Sequence, residues 1–218
     1  MGEFINLLNV TPKYYDGPVR NMDPTFGYLY FEATRDTGCG GLKYDGRWKP
    51  LCESIVKHYN LGPKDSVLDV GCAKGFFLQD YLLVHPQASV KGVDMSAYAI
   101  ENAAPHMKPF LSVASAEKLP FPDHSFDLVT AMNSIHFLTP EAALNAMKEI
   151  VRVGRGKYFV QVDSFMSEVE RERMFAWAPI IKTFHTPEQW KETFKKAGYN
   201  GDYYWTLVKP TSEQPVKT

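Results

Sequence analysis

The stretch Ser66-Val-Leu-Asp-Val-Gly-Cys-Ala-Lys-Gly-Phe-Phe77 constrains this chain more than any other. Val67, Leu68 and Val70 form a short apolar run broken only by Asp69, which suits a strand buried on both faces of a parallel sheet. Gly71 and Gly75 bracket a tight turn with Ala73 between them. Phe76, Phe77, Leu78, Tyr81 and Leu82 then recur at helical spacing. Strand, glycine turn and helix together bring backbone N–H groups close to a ligand. An acid at the end of the strand adds a carboxylate that can meet a cation or hydroxyls.

A chain of 218 residues has room for one α/β domain and little more. A formal charge of −1 gives no electrostatic support to binding nucleic acid or an anionic membrane. Cys39, Cys52 and Cys72 form no CxxC pair, so neither a metal site nor a disulfide framework is expected. The opening residues Met1-Gly-Glu-Phe-Ile-Asn6 lack a basic region and a long apolar run, so the expected compartment is the cytoplasm. No apolar run approaches transmembrane length.

Residues 1–48 are rich in Pro, Gly, Asp and aromatics, including Tyr14-Tyr15-Asp16-Gly17-Pro18, Phe26-Gly27-Tyr28-Leu29-Tyr30 and Gly38-Cys-Gly-Gly41. This is turn chemistry with anchoring rings, and it predicts an ordered cap or lid. A helix is predicted from about Arg47 to Tyr59, ended by Leu61-Gly62-Pro63. Strands are predicted over Ser89–Asp94, Phe110–Val113, Ser125–Ala131, Tyr158–Val162 and Tyr203–Val208. Helices are predicted over Ala97–Ala104, Pro140–Val151, Ser167–Ala178 and Thr186–Gly198. Alternating strands and helices imply a doubly wound, mostly parallel sheet. The expected division is a cap over 1–48, a core domain over 49–209 and a flexible polar tail over 210–218.

Several nucleotide sites share a glycine turn, so spacing must discriminate. Lys74-Gly75-Phe76 lacks the Gly-Lys-Ser/Thr ending of a P-loop. The dinucleotide fingerprint would place Phe76 where the third glycine lets helix and strand approach, which argues against a nicotinamide cofactor. Asp69, Gly71, Ala73 and Gly75 instead resemble the D/E-x-G-x-G-x-G signature of class I S-adenosylmethionine-dependent methyltransferases. Three further segments resemble later motifs of that family: Val93-Asp94-Met95, Ser115-Ala-Glu-Lys-Leu-Pro-Phe121 and Phe126-Asp-Leu-Val-Thr-Ala-Met-Asn-Ser-Ile-His136. The resemblance covers about residues 50–208. It departs at Ala73, which replaces the middle glycine, and at the carboxyl end, where one clear strand stands in place of the family's paired sixth and seventh.

The resemblance implies the Rossmann-like class I fold and S-adenosylmethionine as cofactor. Asp69, Gly71, Cys72, Ala73 and Gly75 would form the turn at the cofactor's amino-acid end. Asp94 would accept the ribose hydroxyls, Met95 would pack on the adenine, and Ala116 and Glu117 would edge it. Asn133 would line the site after the fourth strand, as a cofactor contact or a catalytic group, with His136 as a candidate general base. Tyr44 and Arg47, just before the first core helix, would meet the cofactor's carboxylate. No metal is called for. The expected reaction is methyl transfer to an oxygen or nitrogen of a small polar molecule. The fourth motif lacks the Asn/Asp-Pro-Pro-aromatic signature of amino-methylating DNA enzymes, and the cap is short for a nucleic-acid recognition domain. An RNA or protein methyltransferase and a non-catalytic cofactor-binding regulator are the alternatives.

Overall fold

The computed structural model describes residues 2–3, 5, 12–38, 40 and 43–214. Cys39, Gly41 and Leu42 lie outside the described residues, as do residues 6–11 of the expected cap and 215–218 of the expected tail.

Six parallel strands form the main sheet: β2 (Ser66–Val70), β3 (Ser89–Asp94), β4 (Leu111–Val113), β5 (Phe126–Met132), β6 (Gly154–Asp163) and β7 (Asp202–Thr206). Their spatial order is β4-β3-β2-β5-β6-β7. The chain winds outward from β2 to β4, then restarts on the other side of β2 with β5. This reversal opens a crevice beyond the carboxyl ends of β2 and β5. The alternation of strand side chains divides the core. Leu68, Val70, Val129, Val160 and Val162 pack on one face with Met147 and Ile150 of α4 (Pro140–Val153) and Trp190 and Phe194 of α6 (Pro187–Ala197). Val67, Val90, Leu128 and Phe159 pack on the other with α1 (Lys49–Tyr59) and α2 (Phe76–Val84). Thr139 and Thr186 cap α4 and α6 through their side chains, each followed by proline at the first helical position.

The helix α3 (Ala97–Glu101) ends earlier than its sequence suggests, because Asn102 returns its side-chain amide to the Tyr98 carbonyl. Strand β6 starts at Gly154, where charged residues and two glycines conceal the pattern. The predicted Tyr203–Val208 strand is broken at Leu207 into β7 and β8 (Val208–Lys209). β8 leaves the main sheet and pairs in parallel with β1 (Lys13–Tyr14).

No further described strand pairs with β7; its outer edge is met by the amino-terminal residues. Tyr203 N–H donates to the Glu3 carbonyl and Ile5 N–H to the Tyr203 carbonyl, both at 3.0 Å. A strand edge is thus protected by the chain's own start. Residues of the expected tail are also held: Thr211 donates through both N–H and hydroxyl to Asp16, each at 2.6 Å. Arg20 lies 3.6 Å over the Trp177 ring of α5 (Glu168–Trp177), fixing the start of the cap. Among the described cap residues, those that reach the crevice begin at Phe26. No described helix is long and apolar enough to cross a membrane.

Candidate active site

The crevice at the strand reversal holds a cavity of about 510 Å³, within the range of small-molecule sites. Its floor is the turn after β2. Gly71, Ala73 and Gly75 all have positive φ, at 82°, 49° and 77°. A Cβ on Gly71 would lie 2.2 Å from that of Ser134, so glycine is required there by space as well as by conformation. Ala73 takes the same left-handed region with a methyl attached, and that is what its departure from the glycine signature amounts to structurally. Gly75 caps the start of α2 and is not among the residues that line the cavity, whereas Gly71, Cys72 and Ala73 are.

Asp94 ends β3 beside this turn. One carboxylate oxygen accepts the Ala73 N–H and the other the Ser96 N–H, both at 2.8 Å. The carboxylate is therefore fixed in orientation while each oxygen keeps a further acceptor position. Burial pushes its pKa up, opposed by the bonds from Ser96, Ala73 and Met95. Asp69 is buried more deeply. It faces Thr130 across the β2–β5 ladder and accepts that hydroxyl at 2.9 Å. Desolvation raises its pKa to about 7, with the nearby Asp94 charge adding to the shift.

Met95 and Val113 line the outer part of the cavity and are 62% and 54% exposed, with Ala116 and Glu117 beside them. Exposed apolar side chains flanking a carboxylate suit a flat heterocycle attached to a diol. Residues 69–75, 94–95 and 113–117 thus fit a nucleoside with a polar tail, as S-adenosylmethionine would require. Cys72 lines the cavity, but its thiol is buried, its pKa is pushed well above the ordinary value, and it packs against Gly92. It is a space-filling residue and not a nucleophile.

The opposite wall consists of Asn133, Ser134, Ile135, Phe137 and Leu138 after β5, faced by Phe26, Tyr30 and Phe31 of the cap. The Phe26 ring meets Tyr30 at 4.9 Å and Phe137 at 5.5 Å, edge to face in each case. The Ser96 hydroxyl donates to the Phe26 carbonyl at 2.6 Å, and Lys74 pairs with Glu32 at 2.5 Å. These two contacts tie the cap to the turn and to the start of α3. Glu32, Ser96 and Phe137 had no motif to announce them; only the aromatic richness around residue 30 hinted at a cap.

Besides Gly75, three expected residues do not reach the cavity. His136 is 1% exposed and is not part of the lining. Its Nδ1 accepts the Asp163 N–H at 3.1 Å, which leaves the proton of the neutral ring on Nε2, 3.5 Å from the Asp163 carboxylate. Burial lowers its pKa against the pull of that carboxylate. A general base must touch the acceptor or a bridging water, and this ring is engaged behind the wall. Tyr44 donates to Asp80 at 2.5 Å, and Asp80 also accepts the Trp48 N–H at 2.9 Å. Tyr44 therefore braces the cap to α2, while Trp48 does line the cavity. Arg47 is paired with Asp45 on the surface, two residues away in sequence.

Residues 67–156 match the family described as a methyltransferase domain. The chain is 28% identical to the demethylmenaquinone methyltransferase of Symbiobacterium thermophilum over 202 residues, covering 76% of this chain and 80% of that one. It is 27% identical over 138 residues to the malonyl-[acyl-carrier protein] O-methyltransferase of Legionella pneumophila, covering 61% of this chain but only 47% of that protein. The alignment thus spans under half the length of this second relative. In three dimensions the chain resembles the YcgJ protein of Bacillus subtilis, with a TM-score of 0.55, 20% identity and coverage of 67% and 66%.

Proposed function

We propose that this chain, a member of the class I S-adenosylmethionine-dependent methyltransferase family, transfers a methyl group from that cofactor to an oxygen or nitrogen of a small molecule. The observation that carries this reading is the joint geometry of Asp94 and the turn. A carboxylate held by two backbone donors stands beside a left-handed turn on one side and an exposed apolar slot on the other.

S-adenosylmethionine held here would supply an electrophilic sulfonium methyl for in-line displacement by the acceptor's lone pair, the C–S pair leaving with sulfur and the acceptor's proton passing to bulk solvent. The chain's own residues bind, orient and dry that reaction. Asp94 accepts the two ribose hydroxyls through the acceptor positions left on its oxygens. Met95 and Val113 cover the base, with Glu117 at its edge. Asp69, under the turn, places negative potential near the cofactor's ammonium. Phe26, Tyr30 and Phe137 exclude water from the side where the acceptor enters, which favours alignment and desolvation over acid–base chemistry.

A macromolecular acceptor finds less support. Among the described residues Lys74 is the one cation lining the cavity, and it is paired with Glu32. A polyanion would call for several. The test is incubation of the full chain with methyl-labelled cofactor and a small-molecule extract. Labelled small products together with S-adenosylhomocysteine support the proposal. Label confined to added RNA or protein contradicts it.

A further inference from the structure

The cavity is divided by charge. Its charged lining residues, Asp69, Lys74, Asp94 and Glu117, all lie on the turn or at the ends of β2, β3 and β4. The stretch from Met132 to Leu138 and the facing cap residues contribute none. That wall is apolar and aromatic except for Asn133 and Ser134, and the Ser134 hydroxyl is spent on the Val70 carbonyl at 2.8 Å.

Asn133 is held unusually firmly. Its φ is +54°, a conformation that asparagine tolerates better than most residues, and its N–H donates to the Gln161 carbonyl at 2.9 Å. Its Oδ1 accepts the Thr206 hydroxyl at 3.3 Å, and that hydroxyl accepts the Gln161 amide at 2.9 Å. Gln161 and Thr206 are both buried. In this arrangement the Asn133 amide offers Nδ2 as its donor end, and the Gln161 Oε1 at the far end of the chain is buried without a partner among the described residues. The Asn133 Nδ2 has no partner among the described residues, in a side chain that lines the cavity. An amide donor on an apolar wall favours an oxygen acceptor within an otherwise uncharged ligand.

We infer that the methyl acceptor is an uncharged molecule with a flat apolar body, seated against Phe26 and Phe137, with a carbonyl-type oxygen on the Asn133 amide. This inference rests on the proposed methyl transfer and specifies its acceptor. It replaces a polar molecule with an apolar-bodied one. Thr206 and Gln161 act as positioning residues through Asn133.

The test uses three probes of similar size: 4-hydroxyacetophenone, neutral with a carbonyl; 4-ethylphenol, neutral without one; and 4-hydroxybenzoate, an anion. Each is titrated calorimetrically into the full chain, with and without saturating S-adenosylhomocysteine. The expected order is 4-hydroxyacetophenone tightest, 4-ethylphenol about tenfold weaker for the lost hydrogen bond, and 4-hydroxybenzoate weaker again. Thr206→Val should bring the first two to within about twofold and lower the melting temperature, because the buried Gln161 amide loses its acceptor, while S-adenosylhomocysteine affinity of the folded variant changes little. The inference is overturned if 4-hydroxybenzoate binds as tightly as the ketone, if no probe binds either form, or if Thr206→Val leaves the preference intact. Loss of S-adenosylhomocysteine binding with the probe order preserved would instead sink the methyltransferase reading and leave the pocket assignment standing.

Discussion

The Ala73 N–H donates to the Asp94 carboxylate at 2.8 Å, so the turn after the first core strand and the acid ending the second are one mechanical unit. Asp94 orders the turn, and in the proposed site its oxygens also meet the ribose diol. Asp94→Ala should therefore weaken S-adenosylmethionine binding by on the order of 1.5–3 kcal/mol, roughly ten- to 150-fold. Asp94→Asn, which keeps one acceptor oxygen, should lose less. Calorimetric titration of both variants checks the order, and equal affinities for wild type and Asp94→Ala would remove the carboxylate from the site.

Gly71 and Ala73 share a left-handed backbone but not the same space. Gly71→Ala adds a methyl against Ser134 and should cost on the order of 3 kcal/mol. Ala73→Gly relieves about 1 kcal/mol of backbone strain and adds a similar entropy to the unfolded chain, so its stability should stay near wild type. Urea denaturation separates the two, and an undiminished Gly71→Ala protein would contradict the close approach of the turn to Ser134.

The pKa of Asp69 near 7, against an ordinary 3.8, has a definite linkage sign. The folded chain holds this proton more tightly than the unfolded chain. The group's contribution is thus fully present below about pH 3.8 and is lost as pH rises through about 7. Above that, a buried carboxylate costs the cofactor-free protein on the order of 2–4 kcal/mol. Asp69→Asn should raise the melting temperature, by several degrees more at pH 8 than at pH 5. A pH-independent difference would show that Asp69 is ionised or well solvated throughout.

His136 should behave as a structural group. Its pKa is depressed from 6.5 by burial, so its contribution is present above about pH 6.5 and is lost as pH falls toward the folded value. His136→Gln should destabilise the chain by about 1–3 kcal/mol and reduce its acid sensitivity. Cofactor affinity of the folded variant should remain within about twofold. A lost alkaline or acid limb in the turnover profile, with stability unchanged, would restore the histidine as a base.

The sheet, and the strand ends and turn of the proposed cofactor half, were legible because local patterns carry them. Asp69, Gly71, Asp94 and Met95 follow apolar strands at strand ends, and the fold delivers strand ends to one edge. The acceptor half was less legible. Phe26, Tyr30 and Phe137 meet across more than 100 residues of chain, and nothing in their spacing declares it. His136 misled because a histidine after the fourth strand looks the same in sequence whether its ring faces the cavity or Asp163. Tyr44 and Arg47 were placed by their nearness to α1, but the partners that orient them, Asp80 and Asp45, turn them elsewhere. The amino-terminal strap on β7 was hidden because backbone pairing at a sheet edge demands little of the side chains.

The central claim is that the turn and Asp94 together hold S-adenosylmethionine, and titration calorimetry of the full chain with that cofactor tests it most directly. One saturable site, weakened at least tenfold by Asp94→Ala, is the predicted result. No heat of binding, or binding indifferent to Asp94→Ala, would contradict it.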